Sequence, residues 1–131
     1  MTADEAWLAH TEAGHPLGPF GHREHLRLTW LVLDRESSVD AAAERVSATI
    51  RQLAQAHGRP QRYNRTVSEA WVRIVAHCRA AGPTEPFEDM VARYPWLFDK
   101  RLLLRHYSSR VLASPQARRL WVAPDLRPIP A

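Results

Sequence analysis

Apolar residues recur at steps of three and four along two long segments, and this spacing constrains the fold more than any other feature of the chain. The two sets are Val39, Ala42, Val46, Ile50 and Leu53, followed by Val67, Trp71, Ile74 and Cys78. Residues at such spacing share one face of a helix, whereas a half-buried strand alternates apolar and polar residues. Because no segment shows sustained alternation, the sequence predicts an all-α fold, a single-domain irregular helical bundle with short loops.

Proline and glycine punctuate the sequence and set the expected helix boundaries. We expect helices at about 3–13, 21–35, 38–57, 66–82, 86–94, 99–106 and 115–121. Ser37 or Ser38 is predicted to cap the third helix, and Thr66, with Glu69 in the capping-box position, is predicted to cap the fourth. The fourth helix is expected to stop at Gly82-Pro83, because proline cannot continue a helix.

A length of 131 residues suits one domain with a substantial core. We assign 1–19 to an opening helix and a loop rich in Pro and Gly, 20–122 to the core, and 123–131 to a tail. The tail is expected to be extended, because its prolines fix φ and lack an N–H donor. No apolar run approaches the roughly 20 residues of a membrane span, and the acidic start is unlike a signal peptide, so no membrane contact is expected.

Cys78 is the only cysteine and Lys100 the only lysine. One cysteine cannot form an intramolecular disulfide, so we expect a reducing compartment and a cytoplasmic protein. The position of Cys78 on an apolar helix face predicts a buried, inert thiol. The strong preference for arginine over lysine, together with abundant alanine, suggests a GC-rich bacterial genome.

The formal net charge of +4 makes the chain basic, and basic proteins can bind nucleic acid or anionic ligands. The densest basic groups are Arg59, Arg62 and Arg65, and Arg101, Arg105 and Arg110. Acidic residues lie between the arginines, a pattern typical of solvated helix faces. Nucleic-acid binding is therefore not expected, although a non-catalytic basic interaction or DNA-binding module is kept as an alternative.

His22 and His25 open the second predicted helix, three residues apart. Residues at this spacing lie on one helix face, so both imidazoles can reach one point and hold a metal or act as acid and base. The chain has no second His-x-x-His pair that would supply further metal ligands. The structural alternative is a helix-capping or core-edge pair whose nitrogens are satisfied by hydrogen bonds.

The segment Tyr63-Asn64-Arg65-Thr66, with Trp71 shortly after it, lies where a loop enters a helix. Free N–H groups and the positive end of the helix dipole favour an anionic group at such a position. The segment supplies a phenol, an amide and a positive charge. The alternative is a capping box with Tyr63 covering the core.

A third polar segment, Arg105-His106-Tyr107-Ser108, precedes Ser114-Pro115, which is predicted to begin the last helix. The adjacent His and Tyr can serve as a proton-transfer pair. Arg118 or Arg119 can bind a carboxylate through two hydrogen bonds. The alternative is a helix-end His and an arginine that neutralises nearby carbonyl groups.

Many of these residues belong to one pattern that spans about residues 20–126. The pattern is Phe20-x-His22-x-x-His25-Leu26, Tyr63-Asn64-x-Thr66, Trp71, Tyr107, Leu112-x-Ser114-x-x-Ala117-Arg118 and Pro124-Asp125. It resembles a group of small bacterial helical proteins with no established activity. The resemblance implies that the three polar segments share one organisation, and it implies no chemistry. Either Arg118 or Arg119 can occupy the arginine position of the pattern.

These patterns lead us to expect a helical protein that binds a small anionic molecule. Its pocket is expected to bring Tyr63 or Thr66 within hydrogen-bonding reach of His22 or His25, with Trp71 alongside. If the protein is an enzyme, we expect cofactor-independent proton transfer of the lyase, isomerase or cyclase type. The predicted catalytic residues are His22, His25, Tyr63 and His106, and the predicted substrate-binding residues are Asn64, Thr66, Trp71 and Arg118.

Two further expectations accompany this hypothesis. A metal-dependent enzyme, with a divalent ion on His22 and His25, is the catalytic alternative. No other cofactor is indicated by the sequence. Association into a homo-oligomer is left open.

Overall fold

The computed structural model describes residues 1–82 and 85–130, and within these ranges it contains helices and no strand. The α-helices are α1 Ala3–Glu12, α2 His22–Arg35, α3 Val39–Ala56, α4 Arg65–Arg79, α5 Phe87–Arg93, α6 Ser109–Leu112 and α7 Pro115–Arg119. Three short 3₁₀ helices cover Pro60–Arg62, Pro95–Phe98 and Lys100–Arg105. The all-α prediction is confirmed. None of the helices in the described ranges has the length and apolar character that crossing a membrane requires.

Helices α2, α3 and α4 pack against one another and form the centre of the molecule. The predicted apolar faces lie inward: Val46 of α3 and Trp71 and Ile74 of α4 are buried, as is Cys78. The core continues from α1 as far as Tyr107 in the C-terminal part of the chain. The periodic spacing of apolar residues therefore predicted which side of each long helix is buried.

The start of α4 differs from the prediction. Asn64, and not Thr66, caps this helix, because its side-chain oxygen accepts a hydrogen bond from the Val67 N–H at 3.0 Å. Glu69 therefore does not complete a capping box. Its buried carboxylate instead pairs with Arg65 at 2.8 Å and with Arg73 at 2.7 Å, one helical turn away on either side. Such an i, i+4 arrangement joins three charges along one face of α4.

The C-terminal part is more irregular than predicted. Residues 99–106, expected to form an α-helix, instead contain the 3₁₀ helix Lys100–Arg105, and Ser109–Leu112 adds a short helix that was not predicted. The predicted Ser114 cap is confirmed, since its hydroxyl accepts from the Ala117 N–H. Helix α4 ends at Arg79, and Pro83, part of its predicted stop, lies outside the described residues. From Leu120 to Pro130 the chain has neither helix nor strand, and Ala131 is not described.

Candidate functional site

His22 and His25 lie on the same side of α2, with ring centroids 6.5 Å apart. The His22 ring also meets the Trp71 ring of α4 edge-on, at 4.6 Å between centroids. His22 Nε2 lies 2.8 Å from the Leu97 carbonyl oxygen. Since a carbonyl can only accept, His22 Nε2 carries the proton and donates. The prediction that both imidazoles share one inward-facing side of the helix is confirmed.

His25 is the more deeply placed of the two histidines. Its Nε2 is buried, and within the described residues it has no hydrogen-bond partner. Burial, and to a smaller extent the neighbouring charge of His22, lower the pKa of His25 to about 4. Burial also lowers the pKa of His22, although its hydrogen bond to Leu97 opposes this effect. His25 is therefore a neutral, enclosed imidazole at neutral pH.

Within the part of the chain that the structure describes, the His pair belongs to no larger group of metal-binding side chains. Across the described ranges, no three or more His, Cys, Asp or Glu side chains are grouped so that they can hold a metal ion. The His22 ring contacts the Trp71 ring, and its Nε2 donates to the Leu97 carbonyl. A metal bound to two imidazoles alone lacks the four ligands typical of a zinc site.

The expected meeting of the His pair with Tyr63 or Thr66 is wrong. The Thr66 hydroxyl is fully buried, donates to the Leu120 carbonyl at 2.7 Å and accepts from the Val122 N–H at 3.1 Å. No hydrogen bond joins Tyr63 or Thr66 to either imidazole in the described part of the chain. Thr66 instead connects α4 to the segment 120–122 that follows α7, where the Leu120 carbonyl and the Val122 N–H need partners outside a helix.

Two other predicted site residues also hold the C-terminal part of the chain. The Asn64 amide group donates to the Leu112 carbonyl at 2.8 Å while its oxygen caps α4, so both ends of the amide are engaged. His106 Nδ1 lies 2.9 Å from the Arg127 carbonyl oxygen and therefore donates to it. Next to it, the buried Tyr107 hydroxyl donates to the Val122 carbonyl at 2.6 Å. These contacts favour the structural interpretation of both segments.

Tyr63 and Arg118, two residues predicted to form a site, do come together. They line a surface cavity of about 470 Å³, called here the Tyr63 cavity, between α3, the 3₁₀ helix Pro60–Arg62 and α7. Its lining residues are Arg51, Gln55, Pro60, Tyr63, Arg65, Arg118 and Arg119. The sequence left open whether Arg118 or Arg119 is the binding residue, and both of them line the cavity. A volume in this range is typical of small-molecule sites.

The arginines of the Tyr63 cavity differ in their partners. The Arg65 guanidinium is fixed by Glu69 at 2.8 Å and by Glu44 at 2.9 Å. Arg51, Arg118 and Arg119 form no ion pair with any carboxylate in the described residues. The cavity therefore carries a surplus of positive charge that the protein itself does not neutralise.

A second cavity, of about 480 Å³, adjoins the Tyr63 cavity, because Tyr63 lines both. It has an apolar wall from Phe20, Ile50 and Leu53, and its polar lining includes His57, Arg59 and Arg62. His57 Nδ1 donates to the Leu53 carbonyl at 2.8 Å, which holds the imidazole at the end of α3. Tyr63 thus separates a mainly cationic cavity from one that is apolar on one side.

Arg51 and Gln55 were not predicted as site residues. They lie four residues apart on α3, so they share one helix face, and both line the Tyr63 cavity. The sequence did identify Arg59, Arg62 and Arg65 as a basic group, but nothing in it indicated that Arg51 and Arg118 meet.

Searches against protein-family models, curated proteins and solved structures found no match to the chain.

Proposed function

We propose that the protein binds a small anionic molecule in the Tyr63 cavity. The observation that carries this proposal is the convergence of Arg51, Arg118 and Arg119, three guanidinium groups without a carboxylate partner in the described residues, on one concave surface. Unpaired cations grouped in a cavity attract an anion and are poorly placed to hold an apolar molecule. Carboxylates and phosphates are the ligand classes that match this lining.

The geometry suits a ligand with more than one anionic oxygen. A guanidinium group presents paired N–H donors that match a carboxylate or phosphate through two parallel hydrogen bonds. Arg118 and Arg119 enter from α7 and Arg51 from α3, so a ligand between them would bridge two parts of the fold. Tyr63 adds an aromatic ring and a hydroxyl group at the border with the apolar cavity.

Acid–base catalysis of the lyase, isomerase or cyclase type stays a prediction. The Tyr63 cavity is not lined by His22 or His25 within the described residues, and the Nε2 of His25 is buried without a hydrogen-bond partner there. Anion binding is therefore better supported than a reaction at the His pair. The DNA-binding alternative uses the same arginines, and the experiment below separates the two.

Calorimetric titration tests the proposal with citrate and inorganic pyrophosphate as probes. We expect one binding site per chain for at least one of them. Arg118→Gln and Arg119→Gln should each weaken its binding about tenfold, since each removes a charge-assisted contact. Arg110→Gln removes an exposed charge outside the cavity and should leave binding unchanged.

Three results would contradict the proposal. The first is that neither probe binds, and the second is that Arg110→Gln weakens probe binding as much as Arg118→Gln does. The third is binding of a short DNA duplex that falls steeply with salt and is not displaced by either probe, which would favour the interaction-module alternative.

A further inference from the structure

A separate cavity is lined by residues of α4, of two 3₁₀ helices and of the C-terminal tail. Its volume is about 340 Å³, and we call it the tail cavity. Ile74 of α4 and Leu102 and Trp96 of the 3₁₀ helices supply apolar surface, and Pro128 of the tail faces them. Such a mixture of apolar walls and few polar groups is typical of sites for small organic ligands.

The tail cavity also carries positive charge. Arg105 and Arg127 line it, and neither guanidinium forms an ion pair in the part of the chain that the structure describes. Asp99 lines the adjoining concavity and pairs with Arg101 through contacts of 3.0 and 3.1 Å, while the charge of Arg105 acts on it without an ion pair. The two cavity arginines are therefore available to an anionic ligand group.

The walls of the tail cavity are held in place before any ligand arrives. His106 Nδ1 donates to the Arg127 carbonyl at 2.9 Å, and the Leu126 N–H donates to the His106 carbonyl at 3.0 Å. Proline residues restrict the backbone of the tail beyond this point. A wall that is already ordered lowers the entropic cost of binding. Trp96 is 45% exposed, so its ring is accessible to a ligand.

We propose that the tail cavity binds an aromatic anion, with the ring against Trp96, Leu102 and Ile74 and the anionic group at Arg105 and Arg127. An aromatic ligand can stack on Trp96, and a carboxylate or sulfonate can pair with either guanidinium. This ligand class differs from the one proposed for the Tyr63 cavity, which is lined by four arginines. The proposal stands independently of anion binding at Tyr63.

Fluorescence titration with 8-anilinonaphthalene-1-sulfonate, and with its uncharged analogue N-phenyl-1-naphthylamine, tests the proposal on the whole chain. We expect both dyes to saturate one site on the native protein. Arg105→Gln should weaken the sulfonate dye about tenfold and leave the uncharged dye unchanged, since it removes only the charge contact. Trp96→Ala should weaken both dyes, because it removes the aromatic wall.

Arg110→Gln is the matched charge control and should affect neither dye. Far-ultraviolet circular dichroism and thermal unfolding of each variant exclude dye binding to a loosened fold. The proposal is overturned if sulfonate binding does not saturate at one site, if Arg105→Gln acts no more strongly than Arg110→Gln, or if folded Trp96→Ala binds both dyes as the parent does. The proposal is also overturned if citrate displaces the sulfonate dye from the unmodified protein but not from Arg118→Gln, because that result would place the dye in the Tyr63 cavity.

Discussion

The three long helices and the C-terminal part of the chain are stabilised in different ways. In α2, α3 and α4 the backbone hydrogen bonds lie within each helix, and apolar side chains join the helices. In residues 95–130 the helices are short, and single polar side chains donate hydrogen bonds to backbone carbonyl groups. The main examples are His22 to Leu97, Asn64 to Leu112, Thr66 to Leu120 and Tyr107 to Val122.

The difference shows what irregular backbone requires. A short 3₁₀ or α-helix leaves most of its terminal N–H and C=O groups without helical partners. Where such groups are buried, another part of the protein has to supply the hydrogen bonds. The C-terminal part therefore depends on single polar side chains of the core, whereas the long helices depend on many apolar contacts. Both proposed cavities lie along the border between the two parts.

The largest expected effect concerns His25, whose buried Nε2 makes a charge on the ring unfavourable. His25 has an ordinary pKa of 6.5 when unfolded and about 4 in the fold. Between these values the unfolded chain binds the proton more tightly, so stability falls as the pH drops from 6.5 to 4 and is level above that range. The loss should be about 3 kcal/mol, measured by urea unfolding across this range.

His25→Phe should remove most of this pH dependence, because it keeps a ring and eliminates the titrating group. His22, whose pKa is also lowered by burial, should leave a smaller residual slope. His10→Gln, a change at an exposed histidine of α1, serves as the control and should keep the full fall. A His25→Phe variant with an undiminished slope would contradict the assignment.

The second effect tests the dependence of the tail on the core. Thr66→Val keeps the shape of the side chain but removes the donor to Leu120 and the acceptor for Val122. Two tail groups are left unpaired, so we expect a loss of about 2 kcal/mol in the free energy of unfolding.

Thr29→Val is the matched control for Thr66→Val. Thr29 is equally buried, but its hydroxyl donates only to the His25 carbonyl within the same helix, at 2.9 Å. This local contact contributes little to stability. If the two variants lose equal stability, the contrast between the tail and the helical core is wrong.

A smaller loss is expected for Tyr107→Phe. The ring remains buried, and only the hydrogen bond from its hydroxyl to the Val122 carbonyl is removed. We expect a loss of about 1 kcal/mol, since one acceptor is left without a partner. Hydrogen exchange should also show faster opening near Val122 and no change in α3, whereas uniformly faster exchange would contradict a local role for the hydroxyl.

Sequence periodicity predicted the regular part of this molecule and not the irregular part. The steps of three and four identified the buried faces of α3 and α4, and the spacing of His22 and His25 placed both rings on one side of α2. The partner of Thr66 is a backbone carbonyl 54 residues away, which no local pattern encodes. The same limit applies to the Tyr63 cavity, whose Arg51 and Arg118 belong to helices far apart in sequence.

The smallest expected effect compares two helix caps of the same chemistry. The Ser38 hydroxyl accepts from the Ala41 N–H at 3.0 Å and caps the long helix α3, while the Ser114 hydroxyl accepts from the Ala117 N–H at 3.1 Å and caps the short helix α7. Replacing either serine by alanine should cost about 1 kcal/mol.

Ser114→Ala should cost more than Ser38→Ala, by about 0.5 kcal/mol, because the Ser114 hydroxyl also donates to the Val111 carbonyl at 2.7 Å. Helix α7 packs on α4, and its Ala117 is fully buried, so a loosened cap also disturbs this contact. Helix α3 has 18 residues and many apolar contacts, so fraying of its first turn remains local. Parallel urea unfolding of the two variants measures the difference. A larger loss for Ser38→Ala would mean that the long helices depend on single polar contacts as much as the C-terminal part does.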